Sequence, residues 1–337
     1  MPESDVRSEV SVDVLVVGAG PSGLYAAYYA GFRGLSVGVV DALPEAGGQI
    51  TALYPEKMIF DIAGFPAVRG KDLVDNLVAQ AAPFSPTYLL GEQAVAYEDL
   101  GDDGVRISLA SGRSVEAKAV VVTGGIGTFN PRPLPGGADW EDRGLAYIVP
   151  SYAPYAGKDV VVVGGGDSAL DWALGLEPVA TSVTLVHRRD EFRAHAHSVK
   201  LLRDSTITVV TPAQVVSLNG VDALDSVSVR DVKTKEVTQL PAQAVVAALG
   251  FTADISPLEA WGLAVHERHI VVDTTMATNL PRVFAAGDIT DYPGKVRLIS
   301  VGFGEAATAV NNAATVIDPD ATVFPGHSTE QVEGSAA

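Results

Sequence analysis

The chain contains no cysteine among its 337 residues. It therefore cannot form a disulfide, a redox-active Cys-x-x-Cys pair or a cysteine-ligated iron–sulfur cluster. If this protein carries out redox chemistry, the electrons cannot pass through thiols of its own.

Long apolar runs and an excess of basic residues are also missing. No run approaches the about 20 apolar residues that a membrane-spanning helix requires. The first ten residues, MPESDVRSEV, are polar and lack the apolar core of a signal peptide. The net charge of −18 argues against binding to nucleic acid or to anionic membrane surfaces. We therefore expect a cytoplasmic protein with no nucleic-acid partner and no membrane association.

A glycine-rich turn between a strand and a helix organises the first part of the chain. The β-branched run Val14–Val17 predicts a buried strand, Leu24–Gly31 predicts a helix, and Leu35–Val40 predicts a second strand. Between the first strand and the helix stands G-x-G-x-x-G, and Asp41 follows 23 residues after its first glycine. This pattern is typical of dinucleotide binding, with phosphates at the helix N-terminus and a carboxylate on the ribose. The predicted contact residues are Gly18, Gly20, Pro21, Ser22, Gly23 and Asp41.

The same motif of strand, glycine-rich turn and helix occurs a second time. Strand Lys158–Val163 precedes G-x-G-x-x-A, helix Leu170–Leu176 follows it, and strand Ser182–Val186 runs into a His-Arg-Arg cluster. Alanine at the third position is a permitted variant of the motif. Arg193 joins the cluster if its segment is helical, because it stands four residues after Arg189. The predicted contact residues are Gly164, Gly165, Gly166, Asp167, Ser168, Ala169, His187, Arg188, Arg189 and Arg193.

The residue at the end of the second strand distinguishes the two nucleotides. A carboxylate such as Asp41 repels a ribose 2′-phosphate, whereas guanidinium groups bind one bidentately. The first unit therefore suits FAD, whose ribose is free, and the second suits NADP(H). Two such sites in one chain predict a flavoprotein that takes a hydride from NADPH.

Further segments are expected at the flavin. A loop at Gly47–Gln49 allows close backbone approach, strand Ala119–Val122 ends at another turn, and a third turn contains a single carboxylate. A helix predicted from about Glu305 to Val316 favours negative charge on the flavin ring near its N-terminus. The residues assigned to flavin contacts in these segments are Gly48, Gln49, Thr123, Gly124, Asp288 and Ile299.

Two other features have more than one interpretation from the residues alone. Tyr54 either lays its ring against the flavin or is a core tyrosine before a proline turn. His195 and His197 alternate in a basic stretch, but no carboxylate or cysteine spacing completes a metal-ligand set. We therefore expect no metal.

The order of these segments predicts an α/β fold with two Rossmann-like three-layer nucleotide-binding domains, the second inserted in the first. Residues 10–125 and 249–318 are expected to form the FAD domain, and residues 126–248 the NADPH domain. Residues 319–337 have little periodicity and are expected to form a C-terminal tail.

The motifs GAGPSG, GGQ, GGGDSA, HRR…FRA and AAGD, in this order and spacing, resemble thioredoxin reductase and its relatives over nearly the whole chain. The redox cysteines of that family are absent. Gly47–Gln49, Ala52–Lys57, Ala63–Pro66 and the tail with His327 and Ser328 instead resemble the ferredoxin–NADP reductases of thioredoxin-reductase type, which are homodimeric bacterial flavoproteins.

This resemblance implies an activity and roles for three residues. It implies that Tyr54 stacks on one flavin face and that the tail, at His327 and Ser328, covers the other. It also implies hydride transfer from NADPH to FAD, then single electrons to ferredoxin or flavodoxin. An NADPH oxidase or a quinone or flavin reductase on the same scaffold is the alternative. A non-catalytic nucleotide sensor is a further alternative, but the presence of two nucleotide sites argues against it because a sensor needs only one.

A carrier of this kind is usually acidic, as is this chain, so docking requires a local basic patch. Lys57, Lys295 and Arg297 are candidates because they flank the predicted flavin segments. Ordinary solvated charge is the other interpretation of these three residues.

Overall fold

The computed structural model describes residues 10–125 and 128–327, which form two compact units. The first unit contains the described residues up to Thr51, Met58–Thr128 and those from Ala253 onward. The second contains Phe129–Thr252 together with the short segment Ala52–Lys57. None of the described helices is long and apolar enough to cross a membrane.

The first part of the chain supplies most of the first unit. Its elements are β1 (Val10–Val17), α1 (Pro21–Phe32), β2 (Val37–Asp41), α2 (Gln49–Leu53), β3 (Met58–Ile59), β4 (Val68–Arg69), α3 (Gly70–Ala81), β5 (Thr87–Leu90), β6 (Ala94–Asp99), β7 (Val105–Leu109) and β8 (Ser114–Val122).

The middle of the chain supplies the second unit, and the last part returns to the first. The middle elements are β9 (Thr128–Pro131), β10 (Leu145–Ala146), β11 (Asp159–Val163), α4 (Asp167–Leu176), β12 (Ser182–Val186), α5 (Ala196–Asp204), β13 (Thr208–Val210), β14 (Ala213–Gly220), β15 (Leu224–Asp231), β16 (Val237–Pro241) and β17 (Ala244–Ala247). The last elements are β18 (Phe251–Asp254), α6 (Ser256–Glu259), β19 (Val265–His266), β20 (His269–Val271), β21 (Val283–Ala285), β22 (Thr290–Asp291) and α7 (Ile299–Ile317).

A mainly parallel sheet forms the centre of the first unit. Its strands run in the order β5-β2-β1-β8-β7-β6, and β21 also pairs with β8. Strands β1, β2, β8 and β21 are parallel, and Val17 lies opposite both Val40 and Val122. Apart from the partly buried Val10, their β-branched residues are buried, as expected for strands covered on both faces. Because these strands end at one edge, the turns after them meet there.

Two sheets form the core of the second unit. The larger is parallel, with strands in the order β10-β17-β11-β12-β13. Val163, at the end of β11, lies opposite Val186 on one side and Ala247 on the other. The smaller is antiparallel, in the order β14-β15-β16. The two sheets share a hydrophobic core that includes Val163 and Val215.

The predicted α/β class, with one Rossmann-like unit inserted in another, is confirmed. The predicted start of the last helix at Glu305 is wrong, because α7 begins at Ile299. The buried positions Gly302, Glu305 and Ala309 share one helix face, so the apolar stripe begins before Glu305. Glycines and a serine at this end obscured the helical pattern.

Candidate functional site

The first glycine turn fits closely against the edge of its sheet. Gly18 has φ +118°, and a Cβ built there would lie 2.6 Å from the carbonyl oxygen of Thr123. A Cβ on Gly23 would lie 1.8 Å from the carbonyl oxygen of Gly18. At Gly20 a Cβ would meet no atom within 4 Å. Two glycines thus permit close packing, and the third borders open space at the N-terminus of α1, where Pro21 and Ser22 begin the helix.

A second loop packs against this turn. The backbone N–H of Gly47 donates a hydrogen bond to the carbonyl oxygen of Ala19 (2.8 Å). Gly48 lies so close that a Cβ on it would be 2.9 Å from the Cα of Gly20. The Gln49 amide nitrogen would lie 2.9 Å from a Cβ on Gly125, beyond the end of β8. The structure thus brings the two predicted loops together.

Asp41 stands at the end of β2 and faces the same turn. One carboxylate oxygen accepts a hydrogen bond from the N–H of Ala19 (2.6 Å), and the other accepts one from the N–H of Leu43 (2.8 Å). Burial raises the pKa of this carboxyl, while the two hydrogen bonds oppose that rise. Each oxygen retains capacity for a further bond, so the carboxylate is available to a ribose hydroxyl.

The end of β8 is attached to the glycine turn by Thr123. Its hydroxyl is buried and donates to the carbonyl oxygen of Gly18 (2.8 Å). Gly124 follows directly, so both predicted residues lie where β1 and β8 end.

The last part of the chain completes this edge. A Cβ on Gly287 would lie 2.8 Å from the Ser22 hydroxyl oxygen, and one on Gly302 would lie 2.3 Å from the same atom. The start of α7, where Ile299 is the first residue, therefore meets the start of α1 and the turn after β21.

Asp288 lies in this turn and makes no hydrogen bond with another residue of the described chain. Burial raises the pKa of its carboxyl, and the nearby Lys295 and Arg297 oppose the rise. A half-buried carboxylate with no protein partner suits a polyhydroxyl chain such as the ribityl of a flavin.

A buried ion pair fixes the turn that follows β21. Lys295 and Glu305, whose side chains are 3% and 5% exposed, approach to 2.5 Å. The Lys295 ammonium also donates to the carbonyl oxygen of Gly287 (2.9 Å), and Glu305 accepts from the Gly287 N–H (2.7 Å). Tyr292 donates its hydroxyl to Glu305, and burial with this bond raises the pKa of Tyr292 to about 12. The pair thus secures the backbone on both sides of Gly287.

This arrangement corrects the docking expectation. Lys295 is not a surface residue available to a carrier protein. Lys57 is paired with Asp171 of α4 at 2.6 Å, although its side chain is 43% exposed. Of the three candidates, Arg297 is exposed and has no ion pair with a described residue.

The residues predicted to cover the two flavin faces belong to two further segments, the one after α2 and the tail. Tyr54 follows α2, is half-buried and belongs to the second unit. In the tail, the ring of His327 packs edge-on against Phe324 with centroids 5.1 Å apart. Arg33, at the end of α1, donates to the carbonyl oxygens of Thr322 (2.8 Å) and Val323 (2.9 Å). The tail is thereby tied to the first unit, and Ser328 lies outside the described residues.

The first unit therefore fits FAD on its own features. Open space beside Gly20, unpaired N–H groups at the start of α1, and the two carboxylates Asp41 and Asp288 match pyrophosphate, ribose and ribityl.

The second glycine turn repeats the geometry of the first. A Cβ on Gly164 would lie 2.5 Å from the carbonyl oxygen of Ala248, whereas one on Gly166 would meet no atom within 4 Å. A Cβ on Gly165 would overlap the ring of His187, which therefore packs on this turn. The open side at Gly166 again lies at a helix N-terminus, where Asp167, Ser168 and Ala169 begin α4.

The arginine segment reaches the same turn without being helical. Arg193 donates its backbone N–H to the carbonyl oxygen of Gly165 (2.7 Å), so the segment folds back onto the turn. Arg193 therefore joins the site although its segment is not helical, so the expectation that a helix is required is wrong. His187 stacks on Phe192, and burial, with a smaller effect of the arginines, lowers its pKa. At neutral pH it contributes a neutral ring, and the arginines carry the charge.

A cavity of about 990 Å³ opens at this turn within the second unit. Its wall includes every predicted residue of the second motif and of the arginine segment. It also includes two arginines outside the predicted motifs, Arg132 and Arg230. Arg132 directly follows β9 and Arg230 lies on β15, so both are far from the glycine turn in sequence. Five arginines and one aspartate line this cavity, although the chain as a whole has a net charge of −18. The cavity therefore suits an anion with several phosphates.

Metal binding has no support in these ranges. Within residues 10–125 and 128–327, no group of three or more histidine, aspartate or glutamate side chains is placed to hold a metal ion.

Comparison with known proteins agrees with this geometry. The family model described as pyridine nucleotide-disulphide oxidoreductase matches residues 12–313. A ferredoxin–NADP reductase from Nocardioides sp. is 63% identical over 324 residues, which cover 95% of this chain and 98% of the relative. One from Frankia alni is 60% identical over 318 residues, covering 94% and 98%.

A solved structure shows the same fold. The thioredoxin reductase of T. acidophilum superposes with a TM-score of 0.76 at 26% identity, covering 92% of this chain and 99% of that one.

Proposed function

Because this chain belongs to the pyridine nucleotide-disulphide oxidoreductase family and, within it, to the ferredoxin–NADP reductases, we propose that it is an FAD-dependent ferredoxin or flavodoxin–NADP⁺ oxidoreductase. The observation that carries the proposal is a nucleotide cavity with five arginines in a chain that has no cysteine. Such a chain has a site for NADPH and no dithiol to which electrons could pass.

The first unit holds FAD through the residues that converge at its sheet edge. The N-terminus of α1 binds the pyrophosphate, Asp41 accepts from the ribose, and Asp288 accepts from the ribityl chain. The further contacts are Gly18, Gly20, Pro21, Ser22, Gly23, Gly48, Gln49, Thr123, Gly124 and Ile299. When bound, FAD supplies the change between two-electron and one-electron chemistry.

The second unit holds NADP(H) in its cavity. The N-terminus of α4 and Gly166 accommodate the pyrophosphate, and Arg188, Arg189 and Arg193 bind the 2′-phosphate. The neutral ring of His187 fills the space over Gly165 and positions the arginines without adding charge.

The protein around the flavin orients and shields it. The N-terminus of α7 stabilises negative charge on the ring, and the Lys295–Glu305 pair keeps the turn at Asp288 fixed. Tyr54 covers one face of the ring, and the tail with His327 and Ser328 covers the other. No side chain is needed as an acid or base for hydride transfer, so orientation and exclusion of water are the contributions of the chain.

The protein works as a cytoplasmic homodimer, and its partner is ferredoxin or flavodoxin. Ferredoxin as the partner is supported by the name of the relatives at 63% and 60% identity.

Anaerobic mixing with nucleotide tests the proposal directly. The purified protein should be yellow, and NADPH should bleach the flavin far faster than NADH at equal concentration. A folded but colourless preparation would refute the FAD assignment, and equal bleaching by both nucleotides would refute the choice of NADPH.

A further inference from the structure

We propose that Arg230 is a specificity-determining residue that binds the adenosine 2′-phosphate from the antiparallel sheet of the second unit. The inference rests on the proposed function, because it requires NADP(H) in the cavity. It assigns part of the nucleotide selectivity to β15, outside the glycine turn and the arginine segment.

Arg230 lies in the antiparallel sheet close to the arginine segment. It lies on β15 opposite Gln214 of β14, and both residues are exposed and line the cavity. Strand β14 starts beside the arginine segment, because Ala213 donates its backbone N–H to the carbonyl oxygen of His187 (2.8 Å). Arg230 is therefore one ladder position from the strand end that meets His187.

A side-chain contact ties the same hairpin to the arginine segment. Lys233, in the turn after β15, forms an ion pair with Asp190 at 2.8 Å. The turn itself is held by Asp231, which accepts from the N–H groups of Lys233 and Thr234. Lys233 thus compensates the acidic residue directly after Arg189 and holds β15 beside the segment that carries Arg188 and Arg189.

The charge of Arg230 is available to a ligand. Among the described residues, its guanidinium has no hydrogen bond and no ion pair with a carboxylate. A cation that faces a cavity without a partner is a favourable site for a phosphate. The sheet that carries it would then form a second wall of the 2′-phosphate site.

Arg132, the other arginine outside the motifs, lies on the opposite side. Its backbone N–H donates to the carbonyl oxygen of Gly250, just beyond β17. Strands β17 and β12 flank β11 on opposite sides, and the 2′-phosphate arginines follow β12. Arg230 is therefore placed for the adenosine end, whereas Arg132 is placed toward the other end of the nucleotide.

Calorimetric titration of the FAD-loaded protein with 2′,5′-ADP and with 5′-AMP tests this assignment. Arg230→Ala should weaken 2′,5′-ADP binding by about 10- to 100-fold, as loss of a charge-assisted bond predicts, and should leave 5′-AMP binding within about twofold. Arg230→Lys should lie between wild type and Arg230→Ala. The control is Arg203→Ala on the exposed face of α5, which removes one positive charge away from the cavity wall.

The outcomes separate the inference from the function on which it rests. The inference is overturned if Arg230→Ala has the same affinity as Arg203→Ala for both ligands. It is also overturned if Arg230→Ala lowers the affinity for both ligands equally, because Arg230 then does not bind the 2′-phosphate. If wild type itself binds 5′-AMP as tightly as 2′,5′-ADP, the NADP(H) assignment fails and the inference fails with it. An unchanged flavin absorption spectrum in each variant establishes that the fold is intact.

Discussion

His187 and the arginines after it occupy one segment but differ in charge. Burial lowers the pKa of His187 below its ordinary value, and the neighbouring arginines lower it further. The imidazole is therefore neutral at pH 7 and above, so we expect binding of the 2′-phosphate to depend on the guanidinium groups.

Removing two of these groups should affect NADPH much more than NADH. Arg188→Ala with Arg189→Ala removes charge-assisted bonds worth about 1.5–3 kcal/mol each, so the KM for NADPH should rise about a hundredfold or more. The KM for NADH should stay within about threefold of wild type, because NADH has no 2′-phosphate.

His187→Asn is the matched control for that pair. At pH 8 it removes no charge, so the KM for NADPH should rise far less than in the double arginine variant. A larger rise with His187→Asn, or an equal rise for both nucleotides in the arginine variant, would show that the segment has been misassigned.

The Lys295–Glu305 pair makes a second prediction at the residue scale. Lys295→Met leaves a buried carboxylate without its cation, which should lower the free energy of unfolding by about 3–5 kcal/mol. Adding Glu305→Gln should recover most of that loss, because no buried charge is then unpaired. Urea denaturation of the FAD-loaded protein measures both effects.

The exposed pair Lys71–Asp75 provides the comparison. Its side chains are 54% and 58% exposed, so Lys71→Met should change the free energy of unfolding by no more than about 1 kcal/mol. If Lys295→Met costs no more than Lys71→Met, the buried pair does not stabilise the turn at Gly287.

At the scale of elements, the two glycine turns were the most predictable part of the fold. In each, a β-branched run, a turn glycine and a helix agree with one another, and the structure keeps all three. The failures lie where the local sequence and the tertiary structure disagree. The charge of Lys295 indicates a surface residue, and nothing near it in sequence reveals that Glu305 is its buried partner.

Arg230 could not be found from sequence for a related reason. It stands on β15, 43 residues after His187, and only pairing of that strand with β14 brings it to the cavity. A sequence motif is defined by neighbours along the chain, so it does not include a residue that reaches the site only through long-range strand pairing.

A matched pair of substitutions tests the two turns separately. Gly20 and Gly166 both have extended backbone that alanine adopts, and a Cβ at either would enter open space. Gly20→Ala should therefore fold but lose FAD, because the methyl group occupies the pyrophosphate position. Gly166→Ala should keep FAD and bind NADP⁺ at least about tenfold more weakly.

The ratio of flavin absorbance to protein and calorimetry with NADP⁺ distinguish the two variants. Retention of stoichiometric FAD by Gly20→Ala would contradict the placement of the pyrophosphate at the start of α1.

The C-terminal tail is an element whose role can be tested by removal. Truncation after Asp318 removes the segment held by Arg33 and with it His327. The truncated protein should retain FAD, because the described contacts at the sheet edge remain, but its flavin should react faster with oxygen. Stopped-flow reoxidation of the reduced protein measures this rate, and an unchanged rate with every acceptor would show that the tail does not shield the flavin.

At the scale of the whole molecule, two nucleotide sites in one chain require an electron acceptor outside the chain. The units differ at the end of the second strand of each glycine motif, where Asp41 is the last residue of β2 and His187 directly follows β12. That difference assigns FAD to the first unit and NADP(H) to the second. Because the chain has no cysteine, it has no dithiol to receive electrons from the flavin. The final acceptor must therefore be a separate carrier or a small oxidant.

The most direct test is NADPH-driven reduction of cytochrome c by the purified protein, with and without added ferredoxin or flavodoxin. The account predicts a slow reaction without a carrier and a large increase, by orders of magnitude, when one is added. A rate that does not depend on the carrier, with hydrogen peroxide as a product, would contradict it and identify an NADPH oxidase or quinone reductase on the same fold.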